Sequence, residues 1–138
     1  MIDYTKFRLS LKRLEEQYEN YRHLDPSLPR LTYEAVPESV IQRFETCFDS
    51  LWKVLKRYMA EELGTPDVPN SPKPLLRLAN ENELLGGSVE DWLDYARHRV
   101  DTTHDYSVEK AARCLEVIPG FIEGAIELYQ TMTGRSWD

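Results

Sequence analysis

Tyr4, Phe7, Leu11, Leu14, Tyr18 and Tyr21 follow one another in steps of three and four residues. That spacing winds one apolar stripe along one side of an α-helix. A strand cannot use it, because strand side chains alternate faces every second residue. Lys6, Lys12, Arg13, Glu15, Glu16 and Glu19 fill the remaining positions. The same period returns along the chain, and strand alternation is absent throughout. The chain is therefore expected to be all-α, each long helix burying a stripe against its neighbours.

Proline, glycine and serine divide the stripes. The segment "LDPSLPRL" stops the first helix, because Pro26 and Pro29 cannot continue it. A second long helix is expected to begin near Pro37, a favourable first-turn residue. It carries Phe44, Phe48, Leu51, Trp52, Leu55 and Met59 and ends at Gly64. The loop "GTPDVPNSPKP" holds four prolines in eleven residues. A short helix follows, with Ser71 as N-cap and Pro72 after it, running through Leu75, Leu76, Leu78 and Leu84 to a stop at Gly86–Gly87. Ser88 is expected to cap the next helix, with Asp91 completing a relaxed capping box, and Trp92, Leu93, Ala96 and Val100 on its inner side. Ser107 caps the last helix, which carries Ala111, Leu115, Ile118, Ile122, Ile126 and Tyr129 and is kinked at Pro119. The expected architecture is an antiparallel up-down four-helix bundle with an additional short helix, residues 1–138 forming one domain.

Composition limits what such a bundle can do. A chain of 138 residues buries about two-thirds of its extended surface, enough for a core without staples. A net charge of -7 opposes non-specific binding of nucleic acid over the whole surface. Contact with RNA would need a local basic patch, or an oligomer that concentrates one. Cys47 and Cys114 fall among apolar helical positions outside any C-x-x-C, so they read as reduced core thiols. No Cys/His spacing suggests zinc, and neither metal nor cofactor is expected. The N-terminus is charged from the start, without an apolar signal core, and no run approaches a membrane span. These features lead us to expect a soluble, cytoplasmic protein with no membrane partner.

"GGSVEDWLD" faintly resembles the glycine-serine start of a nucleotidyltransferase site. Such a site needs an acidic pair one residue apart on a strand. Asp91 and Asp94 are three apart on a helix, so a glycine stop followed by a serine cap accounts for the segment. His23, near Asp25 at a helix end, suits the helix dipole and receives no chemical role.

The stretch "RVDTTHDY" is different. It sets Arg99, His104 and Tyr106 close together, with Arg97, His98, Lys110 and Arg113 around them, a cationic cluster in an acidic chain. On an unbroken helix, five residues advance about 7.5 Å and turn about 140°, so Arg99 and His104 share a face only if the helix end frays. Arg99 and Tyr106, seven apart, nearly share one. Spacing alone leaves two readings open: a helix C-terminus favoured by cations, with Tyr106 packing, or a site.

The context carries a resemblance. An aromatic first helix, then "FETCFDSLWKVLKRYM", then "WLDYARHRVDTTHDY", with Trp92 seven residues before R-x-x-x-x-H-x-Y, resembles the HEPN superfamily, and within it the HepT-like nucleotidyltransferase substrate-binding proteins. Val100 stands where many members carry Asn or Asp after the arginine. The resemblance implies a homodimer that pairs with a small nucleotidyltransferase as toxin and antitoxin. It further implies a metal-independent RNA endonuclease, with Arg99 and His104 catalytic and Tyr106 the acceptor of a silencing AMP. Arginine supplies a fixed charge and a fork for phosphate oxygens, and histidine moves protons near neutral pH. Arg97, His98, Lys110 and Arg113 are the expected substrate-binding residues. The alternative is a non-catalytic subunit that binds a substrate or nucleotide for its transferase.

Overall fold

The structure, a computed structural model, describes residues 1–104 and 107–138, the side chains of residues 103 and 104 excepted. Its elements are α1 (Thr5–Arg22), α2 (Arg30–Glu61), α3 (Pro72–Glu81), α4 (Val89–His104) and α5 (Val108–Thr133). Four long helices and one short one pack as an all-α bundle, and the described residues contain no strand. One continuous core runs through them, built on Phe7, Leu11 and Leu14 from α1, Phe44, Phe48, Leu51 and Leu55 from α2, and Ile118, Phe121 and Leu128 from α5. Phe121 sits at its centre. Its ring meets Phe44 edge-on at 4.9 Å and Tyr95 at 5.4 Å, geometries that add to simple area burial. Cys47 and Cys114 are fully buried, and burial pushes both thiols up to about 12.

Serine caps behave according to what they face. Ser107 accepts from the Lys110 backbone N–H at 3.2 Å and starts α5 as expected. Ser88 accepts from the Glu90 N–H at 3.1 Å and returns its hydroxyl to the Glu90 carboxylate at 2.7 Å, so Glu90, not Asp91, closes the α4 cap. Ser71 occupies the N-cap of α3 without a side-chain bond. Two of the first three helical residues, Pro72 and Pro74, have no N–H to offer it.

Three boundaries and one face differ from the sequence reading. The second helix starts at Arg30, directly after Pro29, and carries Pro37 inside it. Proline's fixed φ is helical; its costs are the lost bond to the carbonyl of Tyr33 and the crowding of that carbonyl by the ring, beside a residue that is 41% exposed. That helix also ends at Glu61, ahead of Gly64. The third helix ends at Glu81, before the glycine pair. Its stop is a Schellman turn in which the Leu84 N–H reaches the Ala79 carbonyl at 3.0 Å, with Glu83 in the left-handed region at φ 58°. Val100, expected inside, is 50% exposed. The inward row of α4 runs through Trp92, Tyr95, Arg99 and Thr102 instead.

Candidate functional site

The rotation of α4 decides what its polar side chains can reach. Trp92 is 2% exposed, and its ring lies where a Cβ on Gly124 would come within 2.8 Å of Cζ2. One turn later, the Tyr95 hydroxyl lies 3.0 Å from the Cβ position of Gly120. Gly120 and Gly124 thus let α5 approach α4 closely enough for both aromatic rings to dock. The docking fixes α4 about its axis.

With that rotation set, Arg99 faces α2. Its Nε donates to Asp49 Oδ1 at 3.1 Å and its Nη2 to Asp49 Oδ2 at 2.9 Å, a two-pronged grip. Glu45 Oε2 lies 3.7 Å from Nη1. Thr102, 4% exposed, donates to Glu45 Oε2 at 2.7 Å and also sits 2.9 Å from the His98 carbonyl. The Arg99 side chain remains 26% exposed. Hydrogen bonding to Asp49 raises Arg99 above its ordinary range, so its charge is permanent. Sequence reasoning missed Glu45 and Asp49. The signal was available: two carboxylates one turn apart, at i and i+4, flanking the buried Phe44–Phe48 row of "FETCFDS".

Arg97, His98, Lys110 and Arg113 come together elsewhere. They line a recess of about 510 Å³ between α4 and α5, shared with Asp94, Asp101 and Glu116. Arg97 pairs with Asp94. The His98 Nε2 is 3.5 Å from the other Asp94 oxygen, and its side chain is 12% exposed. Burial first, then the neighbouring Arg97 and Arg113, holds His98 below the usual imidazole range, against the pull of Asp101. The structure therefore gathers four expected binding residues into one recess and turns Arg99 to another side of the same helix.

Helix α4 is continuous through His104. Its backbone site is therefore about 7.5 Å beyond that of Arg99 and about 140° around the axis. The His104 side chain and all of Tyr106 lie outside the described residues. Among the described residues, no cluster of His, Cys, Asp and Glu is arranged to hold a metal ion, and no helix is long and apolar enough to cross a membrane. His23 bonds the Glu19 carbonyl at the end of α1, at 3.0 Å.

Comparisons with known proteins agree with this architecture. Residues 2–134 match the family model described as "Nucleotidyltransferase substrate binding protein like". Over its full length the chain is 27% identical to 94% of a Haemophilus influenzae protein (strain ATCC 51907 / DSM 11121 / KW20 / Rd) named "Probable ribonuclease HepT". A crystal structure of a Thermus thermophilus protein superposes with a TM-score of 0.73 at 27% identity, covering 90% of this chain and 98% of that one.

Proposed function

The chain belongs to the nucleotidyltransferase substrate binding protein like family, and from that premise we propose that it is a HepT-like ribonuclease, silenced by a small nucleotidyltransferase. The observation that carries the reading is the Arg99 grip. A surface arginine usually moves through many rotamers. Here two carboxylates from α2 hold the guanidinium at the last turns of α4, with part of it open to solvent. Such a group is preorganised to meet a phosphate oxygen, and its charge needs no proton.

The chemistry is transphosphorylation. The ribose 2′-OH attacks the adjacent phosphorus, the P–O5′ bond breaks, and a 2′,3′-cyclic phosphate and a free 5′-OH result. One group must take the 2′-OH proton and another must give a proton to the leaving oxygen. An imidazole of ordinary pKa near ~6.5 does either at neutral pH, and His104 is assigned that role. Arg99 neutralises charge building on the non-bridging oxygens. One chain supplies one such pair. A homodimer that brings two motifs to one cleft supplies base, acid and two arginines. Attachment of AMP to Tyr106 places bulk and negative charge where the substrate phosphate must sit.

A second reading has its own support. Asp49 already occupies one edge of Arg99, and the family description names substrate binding. In that case the chain presents a substrate or nucleotide to the transferase and cuts nothing. Incubating the protein with RNA and chelator separates the two. Cleavage is expected, and Arg99→Ala or His104→Ala should each remove it. Undiminished cleavage in both variants would overturn the mechanism, and no cleavage by the unmodified parent would favour the binding subunit. Co-expression with the transferase should add the mass of AMP to the peptide containing Tyr106.

A further inference from the structure

The groove between α1 and α2 is lined by cations in a chain whose net charge is -7. It consists of two recesses, of about 300 and 520 Å³, that share Lys6 and Thr46 and so run into one another. Arg13 and Arg43 stand at one end, where the Arg43 Nη1 donates to the Arg13 carbonyl at 2.8 Å. Lys6 lies in the middle, and Lys53 and Arg57 stand at the other end. Among the described residues, Lys6, Arg13, Arg43 and Lys53 form no salt bridge. Only Arg57 is taken up, by Glu61 at 2.8 Å. The groove's two carboxylates are also committed. Asp49 grips Arg99, and Asp3 accepts the Thr5 N–H at 2.9 Å.

We propose that this groove is a track for the phosphate backbone of single-stranded RNA, leading to Arg99. Four features support it. Its cations recur at both ends and the middle, and Arg43 to Lys53 spans about 15 Å of helix, roughly four nucleotides at the rise of one nucleic-acid strand. Gln42, on the groove lining, offers a neutral side-chain amide between the charges, while the neighbouring Thr46 hydroxyl donates to the Gln42 backbone carbonyl at 3.2 Å. Phe7, the sole aromatic residue on either lining, is 1% exposed and cannot stack on a base, so contact is to the backbone and tolerant of sequence. Finally, Asp49 belongs both to the groove wall and to the Arg99 grip, so a strand lying in the groove passes the acid that holds the arginine. This proposal rests on the ribonuclease reading, but it concerns binding and can be tested apart from cleavage.

The test uses His104→Ala protein and a fluorescent, unstructured 12-nucleotide RNA, with anisotropy followed across graded KCl. Three to four phosphate contacts give a slope of about -2 to -3 in log K against log salt. The triple variant Lys6→Glu, Arg13→Glu, Lys53→Glu should bind at least tenfold more weakly, with the slope flattened by about 2. Lys73→Glu, on the exposed side of α3, should change neither. Circular dichroism confirms that each variant is folded. Unchanged RNA affinity in the folded triple variant overturns the track. So does loss confined to an acidic peptide, which would make the groove a protein-docking surface. If the parent protein fails to cut RNA yet the triple variant loses RNA binding, the ribonuclease reading fails and the track stands.

Discussion

His98 is pressed between guanidinium groups. Arg97 precedes it and Arg113 faces it from α5, with Asp94, Asp101, Lys110 and Glu116 around the same recess. Its pKa in the folded chain is lowered, chiefly by burial. Between that value and the unfolded ~6.5, the unfolded chain binds more protons, so stability is full above about pH 6.5 and is lost as pH falls toward the folded value. His98→Gln should flatten this loss. Urea midpoints measured at pH 7.5 and 5.5 should differ less in the variant than in the parent, and equal differences would refute the assignment. At this scale the arginine, histidine and tyrosine of the motif are legible, because their spacing is local. The carboxylates that hold Arg99 are not. Asp49 is fifty positions away, and nothing in the local pattern says which acid on α2 will face α4.

Helix α4 is aimed by the glycines of α5. A methyl group on Gly124 would sit 2.8 Å from the Trp92 ring, in the core, where neither partner can yield freely. Gly124→Ala should cost about 1–3 kcal/mol in chemical denaturation. It should also turn or lift α4 and so loosen the Arg99–Asp49 grip, which would appear as a shifted Arg99 Nε resonance. A stable variant with an unmoved resonance would show that the glycine does not set the helix. Helix existence and order were plain from the three-and-four rhythm, but several edges were not. Pro37 reads as a start because proline favours first turns, yet it also fits a half-buried interior position near the start of a long helix. Glu83 ends α3 in a backbone conformation usually taken by glycine, and the Gly86–Gly87 pair a few residues on is the stronger stop signal in the sequence. Val100 reads as core because it is apolar. The inward positions of that turn belong to arginine and threonine, since what they meet is a pair of carboxylates.

Across the whole molecule, the two ends of the chain are tied together. Trp137 packs edge-on to Tyr129 at 5.2 Å, lies under the Lys12 ammonium at 4.2 Å, and donates its indole N–H to Glu15 at 3.2 Å. Its backbone N–H reaches the Gln130 side chain at 3.1 Å. One residue thereby links α1, α5 and the segment after α5. Trp137→Ala should lower stability by roughly 1–3 kcal/mol, less than for a fully buried tryptophan. The loss should fall on α1 and the C-terminal segment in hydrogen exchange, and protection lost evenly along the chain would argue against a local tie. The two sealed thiols have a practical consequence. A maleimide reagent acts on exposed thiolate, and neither Cys47 nor Cys114 presents any. A single cysteine introduced on the outside, such as Leu9→Cys at the groove rim, would be the one labelling site in an otherwise silent background. A spin label placed there would test whether copies associate in solution, without altering either native sulfur.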